Sequence, residues 1–285
     1  RVNNSPFAGL EGKFVTSNQI KDRLEREVRT NVAMRVEATD SPDVFKVSGR
    51  GELQMAILIE TMRREGFEFS VSRPEVLFQE IDDVIHEPVE EVVVDVLTDY
   101  SNKVIDNLQK RKGIMQGMSQ EGENNRIEFR VPSRGLIGFR GEMLTETRGT
   151  GIMHQQFDGY EPYAGEIPGR TRGALIALEK GDVTGYALEG VQDRGTFFVE
   201  PGDSVYMGMV VGTNNRSDDM VVNVAKKKAL TNHRASITAD SIKISQAKKM
   251  SLEECIEFIA NDELLEVTPE SLRIRKKFLD HNERK

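Results

Sequence analysis

Two stretches of this chain repeat nearly the same order of helical and strand-like hydrophobic patterns, and this near-repeat strongly limits the folds that the chain can adopt. Residues 17–74 read as helix, strand, strand, helix, strand. Residues 88–158 read as strand, helix, strand, strand, helix, strand. The second order is that of a β-α-β-β-α-β ferredoxin-like unit, and the first order lacks only the opening strand. The residues RVN at 1–3 fit the end of that strand.

The first stretch is clearest in the segment VSGRGELQMAILIETMRREGFEFSVSRP, residues 47–74. Four apolar residues have the spacing of one helical face: Met55, Leu58, Ile59 and Met62. Gly66 follows the basic last turn and suits a left-handed cap. Three residues then alternate as in a half-buried strand: Phe67, Phe69 and Val71. The helix from Gly51 to Glu65 carries no catalytic group, so we predict that it packs and docks. An earlier helix, behind a cap at Ser17 or Asn18, has a face formed by Ile20, Leu24 and Val28.

The second stretch shows the same periods. The strand faces are predicted at Val92, Val94 and Val96, at the weak segment IMQGM, at Ile127, Phe129 and Val131, and at Ile152 to Phe157. The helix faces are predicted at Val104, Ile105 and Leu108, and at Leu136, Phe139 and Met143.

Beyond about Glu166 the pattern changes to short alternating runs separated by turn signals, which predicts a mostly β domain. Ser251 is the predicted cap of a helix in this region. The segment TPESLRIRKKF fits a helix or a strand. The fold class is therefore α+β, with two ferredoxin-like units followed by a mostly β C-terminal domain with a helix. The predicted domains are residues 1–78, 79–165 and 166–285.

Composition excludes several classes of protein. Cys255 is the only cysteine, so no internal disulfide and no thiolate zinc site can form, which favours a reducing cytoplasm. No apolar run reaches the ~18 residues of a membrane span, and no signal peptide is expected. The formal net charge of −8 argues against nucleic-acid binding on mean charge. The acidity is concentrated in residues 81–166, however, which contain 16 acidic and 9 basic residues.

A search for catalytic chemistry finds none, so the chain by itself is not expected to be an enzyme. The four histidines have no metal-ligand spacing, and no metal site is expected. The segment GLEGKF at 9–14 resembles the end of a P-loop. It has Phe7 where the first glycine belongs, and Phe14 where Ser or Thr belongs.

Two basic segments are candidate nucleic-acid contacts, because lysine and arginine bind phosphate. The first is NVAKKKALTNHRAS at 223–236, with candidate residues Lys226, Lys227, Lys228, Asn232, His233 and Arg234. The second is SRGLIGFRGE, where Arg134 and Arg140 flank a helix start that favours an anion. A solvated charge run and an ordinary capped helix are the respective alternatives.

Several long motifs resemble the BipA/TypA family of translational GTPases, which are relatives of elongation factor G. The segment at 47–76 resembles the third domain of these proteins, and VPSRGLIGFRGEMLTETRGTGIMHQQFDGY resembles their domain V-like unit. The segments ALEGVQDRGTFFVEPGDSVYMGMVVG, KKALTNHRAS and DELLEVTPESLRIRKKFL resemble the C-terminal domain that distinguishes this family. The resemblance covers essentially the whole chain, in the right order.

The resemblance implies that a GTPase domain, with its GTP and magnesium, is absent from this chain, which needs no cofactor itself. It implies a ribosome-binding portion that contacts ribosomal RNA, ribosomal proteins and the acceptor end of an A-site tRNA, with no membrane role. Family members support ribosome assembly or translation under stress. Two further hypotheses stay open: a stand-alone RNA-binding module, and a protein scaffold. The cluster Arg273–Lys277 is assigned neither to RNA binding nor to a solvated strand.

Overall fold

In the computed structural model, residues 1–167, 169–227 and 244–284 are described, and the chain divides into two units. The first unit contains Arg1–Arg73, Arg170–Cys255 and Ile259–Lys285. The second unit contains Pro74–Gly169 and Ile256–Phe258. The three predicted domains and their boundaries stay predictions.

The first unit opens with the predicted order of helix, strand, strand, helix, strand. The elements are α1 (Ser17–Thr30), β1 (Arg35–Ala38), β2 (Phe45–Ser48), α2 (Glu52–Arg64) and β3 (Phe69–Val71). The cap of α1 is Thr16, not Ser17 or Asn18, because Thr16 and Gln19 form a reciprocal capping box. Gly66 has φ +94°, as its cap position requires. Strands β1 and β2 pair antiparallel over four residues.

The segment RVN lies where the first strand of a ferredoxin-like unit belongs. The carbonyl of Arg1 accepts a hydrogen bond from the Ser70 N–H in β3, at 2.8 Å. On the other side, the Val2 N–H donates to the carbonyl of Asp43, just before β2, at 2.9 Å. The predicted assignment of these residues therefore agrees with their backbone contacts.

The second unit is a ferredoxin-like fold with one additional hairpin strand. Its elements are β4 (Gln79–Ile81), β5 (Val84–Leu97), α3 (Thr98–Lys110), β6 (Ile114–Glu121), β7 (Asn124–Pro132), α4 (Ser133–Leu136), α5 (Phe139–Glu146) and β8 (Ile152–Pro162). The antiparallel strand order is β8-β5-β7-β6, and β4 pairs with the start of β5. The predicted weak strand IMQGM is part of β6.

The core of the second unit follows the predicted periods. Alternate residues of the two central strands are buried: Val92, Val94, Val96, Ile127, Phe129 and Val131. Helix α3 buries Val104 and Leu108 against them, four residues apart on one helical face. Met143 of α5 also joins this core. The opposite sheet face carries the charged residues between these positions, so the sheet buries one face only.

The part of the chain from Arg170 onward is mostly β, and all of it except Ile256–Phe258 belongs to the first unit. Its elements are β9 (Ala174–Ala177), β10 (Gly181–Asp182), α6 (Gly185–Glu189), a 3₁₀ turn (Gln192–Arg194), β11 (Gly195–Phe197), β12 (Ser204–Val205), β13 (Val210–Asn214), β14 (Met220–Val222), α7 (Leu252–Phe258), β15 (Glu263–Val267) and β16 (Leu272–Lys276). Four of these strands form a sheet in the order β11-β13-β9-β14. A second sheet has the order β16-β15-β3. The predicted α+β fold class is confirmed.

Two local predictions in this region have clear outcomes. Ser251 caps α7 through a capping box with Glu254, as predicted. The segment that fitted a helix or a strand forms strand β16, whose five residues pair in register with β15.

Candidate nucleic-acid interface

The basic segment at 223–236 follows strand β14, and its described part contains two exposed lysines. Lys226 and Lys227 are exposed, and neither makes an ion pair within the described part of the chain. Within that part of the chain, no carboxylate competes with an external anion for their ammonium groups. The other candidate residues of this segment lie outside the described residues: Lys228, Asn232, His233 and Arg234.

Thr184, at the cap of α6, holds the backbone that leads to these lysines. Its N–H donates to the carbonyl of Val224 at 3.0 Å, and its hydroxyl donates to the carbonyl of Lys226 at 2.6 Å. The same hydroxyl accepts from the Ala187 N–H at 3.1 Å, as in an N-cap. One side chain thus joins the first turn of α6 to the start of the basic segment.

Ile244, the first described residue after the basic segment, also lies beside α6. Its Cδ1 would be only 3.2 Å from a Cβ built on Gly185, so any larger residue at 185 would press on it. The Ser245 N–H donates to the Gln192 side chain at 3.4 Å. The carbonyl of Lys226 and the side chain of Ile244 are therefore both close to the start of α6 in the first unit.

Arg134, the candidate of the second segment, is engaged in an internal ion pair. Its guanidinium donates twice to the carboxylate of Glu87, which is only 1% exposed, and once to the carbonyl of Gly165. It also lies 4.6 Å from the ring centre of Tyr163. The hydrogen bonds to Glu87 raise the pKa of Arg134 above its ordinary value. These contacts leave little of the guanidinium for phosphate.

Arg140 is exposed, at the start of α5, and its guanidinium donates to the carbonyl of Met153 at 3.2 Å. Arg134 lies within the four-residue helix α4, and Arg140 belongs to α5. The predicted role of both arginines in nucleic-acid binding stays a prediction, and Arg140 is the more accessible of the two.

The cluster Arg273–Lys277 is mostly buried. Lys276 is 2% exposed and contacts three carboxylates at 2.5–2.9 Å, those of Asp219, Asp262 and Glu263. Burial opposes its charge, but these carboxylates outweigh burial and raise the pKa of Lys276. Arg273 forms ion pairs with the carboxylates of Glu11 and Glu266. Within this cluster, Lys277 is the exposed cation.

The P-loop-like segment GLEGKF also binds an internal anion. The N–H groups of Gly9 and Gly12 donate to the two carboxylate oxygens of Glu68, at 2.7 and 2.9 Å. Such N–H groups are typical ligands of phosphate. Here the carboxylate of Glu68, which is fully buried, takes that place.

Across residues 1–167, 169–227 and 244–284, no three His, Cys, Asp or Glu side chains are grouped to hold a metal ion. None of the helices in these ranges has the length and apolar character needed to cross a membrane.

Comparison with known proteins identifies the family. Residues 172–281 match the family described as the TypA/BipA C-terminal domain, and residues 84–171 match the elongation factor G C-terminus. The chain is 52% identical, over 99% of its length, to the Large ribosomal subunit assembly factor BipA of Bacillus subtilis (strain 168). This chain belongs to the BipA/TypA family. The resemblance inferred from the sequence motifs is thereby confirmed.

Two further BipA relatives with the same name are similarly close. The protein from Synechocystis sp. is 50% identical over 96% of this chain, and that from Haemophilus influenzae is 50% identical over 100%. The chain covers 47% of the Bacillus BipA and 46% of each of the other two. It therefore spans about half the length of these BipA relatives.

Sequence patterns alone missed the residues that position the basic segment of this BipA-family chain. Thr184 follows a short run with no strong period, and its partner Lys226 is 42 residues away. The only local signal was that Thr184 precedes Gly185-Tyr186-Ala187, as an N-cap does. Glu87 was also missed, because the sequence does not distinguish it from the other carboxylates near it.

Proposed function

We propose that this chain is the ribosome-binding portion of a large ribosomal subunit assembly factor. The observation that carries the proposal is identity of about half of all residues, along the whole chain, with relatives of that printed name. The chain acts in the cytoplasm, on the ribosome, and supports subunit assembly or translation under stress. GTP and magnesium act in a GTPase domain elsewhere in the longer protein.

Within this proposal, the basic segment at 223–236 contacts ribosomal RNA and the acceptor end of an A-site tRNA. Two features support it. Lys226 and Lys227 are exposed without carboxylate partners in the described ranges, and Thr184 fixes the backbone from which they extend. A fixed origin lowers the conformational entropy that an RNA contact has to overcome. The chain's net charge of −8 then limits binding away from this segment.

Substituting the three lysines should weaken ribosome binding and lower its salt dependence. Each phosphate contact releases condensed counterions, so the slope of log affinity against log salt should fall by about one unit per contact removed. The variant carries Lys226→Ala, Lys227→Ala and Lys228→Ala. The measurement is co-sedimentation with purified ribosomes across a salt series.

A matched control carries Lys248→Ala, Lys249→Ala and Lys277→Ala. It changes the net charge by the same amount as the variant of the basic segment. Lys248 and Lys249 are exposed and pair with Glu254 and Glu200. The control should bind like the unmodified chain. Equal slopes for all three proteins would contradict an RNA contact by the basic segment. Failure of the unmodified chain to sediment would contradict the proposed function of this chain.

A further inference from the structure

The hairpin formed by β4 and the start of β5, residues 77–86, exposes an unusual amount of apolar surface. Six large apolar side chains in and beside it are 40–57% exposed: Leu77, Phe78, Ile81, Val84, Ile85 and Tyr163. Contiguous apolar surface of this kind marks an interaction site. We call these six residues with the hairpin the apolar hairpin.

Both faces of the apolar hairpin carry exposed apolar side chains. Ile81 pairs with Val84, so these two side chains share one face. Ile85 is the next residue along the strand and points to the other face, where it pairs with Glu80. A hairpin that only covers a core has one apolar face and one polar face. Exposed apolar side chains on both faces suit insertion into a groove.

The apolar hairpin is held in one conformation. Its two turn residues, Asp82 and Asp83, both have positive φ, 52° and 61°, as in the turn that matches the twist of paired strands. At its base, Phe78 packs edge-to-face on Tyr163, with ring centres 5.8 Å apart. The Tyr163 N–H donates to the carbonyl of Ile85 at 2.9 Å. A partner therefore meets a preformed surface, which lowers the entropic cost of binding.

The charge around the apolar hairpin specifies its partner. Four exposed carboxylates lie on or beside it, and none makes an ion pair within the described residues: Glu75, Glu80, Asp82 and Asp83. Residues 74–102 contain no lysine or arginine. These carboxylates repel phosphate and attract cations. The complementary surface is a basic one with an apolar groove.

We propose that the apolar hairpin inserts into an apolar groove on a basic ribosomal protein, and does not contact RNA. This inference rests on the proposed function. It assigns the second unit a protein contact, distinct from the RNA contact of the basic segment in the first unit.

The charge of the turn separates a protein partner from an RNA partner by the sign of the effect. The test variant carries Asp82→Asn and Asp83→Asn, because asparagine tolerates the same positive φ. A basic protein partner predicts ribosome affinity reduced by about threefold or more, since complementary charges are lost. An RNA partner predicts higher affinity, since repulsion is removed. Circular dichroism and thermal unfolding confirm that both proteins are folded.

Photo-cross-linking identifies the partner directly. The residue p-benzoyl-phenylalanine replaces Ile85 in one protein, Ile152 in a control and Lys227 in a third, and each is irradiated on purified ribosomes. Ile152 is as exposed as Ile85 but lies outside the apolar hairpin. We expect protease-sensitive cross-links from position 85 to a basic ribosomal protein, and few from position 152.

Each of the remaining outcomes contradicts the hairpin inference, the proposed function or both. Nuclease-sensitive cross-links from position 85, or tighter binding of the asparagine variant, overturn the hairpin inference and leave the proposed function standing. So do cross-links from position 227 with none from position 85. If the chain neither sediments with ribosomes nor cross-links from any position, the proposed function and the inference both fail.

Discussion

Replacing Lys276 with methionine lowers the free energy of unfolding by about 3 kcal/mol, because it leaves buried carboxylates without their cation. Glu263 is fully buried and Asp219 is partly buried, and both contact the Lys276 ammonium. Arg170 still pairs with Glu263 in the variant, which keeps the loss at the low end for a broken buried pair. Methionine keeps most of the apolar stem, so the change isolates the charge.

Lys277→Met is the matched control, because the same substitution one residue later removes an exposed cation. It should change stability by less than about 0.5 kcal/mol. Urea unfolding followed by far-ultraviolet circular dichroism compares the two proteins, with equal m-values required. Equal losses would contradict the assignment of Lys276 as a structural cation and reopen an RNA role for the cluster.

The same lysine makes alkaline stability depend on pH. The carboxylates around Lys276 raise its pKa above the ordinary 10.5, although burial acts in the opposite direction. The native protein then binds the proton more tightly than the unfolded chain, so this stabilisation is complete below about pH 10.5 and is lost as pH rises through the folded pKa. Thermal midpoints measured from pH 8 to pH 11.5 should fall more steeply for Lys277→Met than for Lys276→Met.

The sequence predicted only part of the structure of the cluster Arg273–Lys277, because the burial of its charged residues depends on distant partners. The segment TPESLRIRKKF fitted a helix or, by its alternation of apolar and basic residues, a strand, and Leu272–Lys276 form strand β16. Alternation normally separates a buried face from a solvated one. Here Ile274 and Lys276 are both buried, and so is Arg275 between them. The partners that permit this, such as Asp219, are distant in the chain and have no local signal.

The ferredoxin-like units were more predictable, because their cores obey simple periods. The buried positions Ile127, Phe129 and Val131 alternate with charged residues in the sequence and in strand β7. The order of strands followed from the order of elements, since this motif has one usual arrangement. The polar contacts were less predictable. The sequence argued against a phosphate site at GLEGKF, but it did not indicate that the N–H groups of Gly9 and Gly12 bind Glu68, more than 50 residues away.

Arg134→Met should destabilise the second unit by about 3–5 kcal/mol, because it leaves Glu87 buried without its cation. Glu87 is 1% exposed, and within the described residues it accepts hydrogen bonds from Arg134 and, at 2.7 Å, from the Ala164 N–H. The matched control is Arg126→Met, which removes a half-exposed arginine 3.7 Å from Asp95. A pair of that kind contributes at most about 1 kcal/mol. Urea unfolding measures both variants.

A second substitution separates the ion pair from any contact with RNA. Glu87→Gln in the Arg134→Met background replaces the stranded charge with a neutral amide that still accepts from Ala164, so stability should partly recover. If Arg134 acts only through Glu87, the double variant sediments with ribosomes at the salt slope of the unmodified chain. If Arg134 also contacts phosphate, the slope falls by about one unit although the fold is restored. The internal pair with Glu87 favours the first result, which would leave Lys226, Lys227 and Arg140 as the described candidates for RNA.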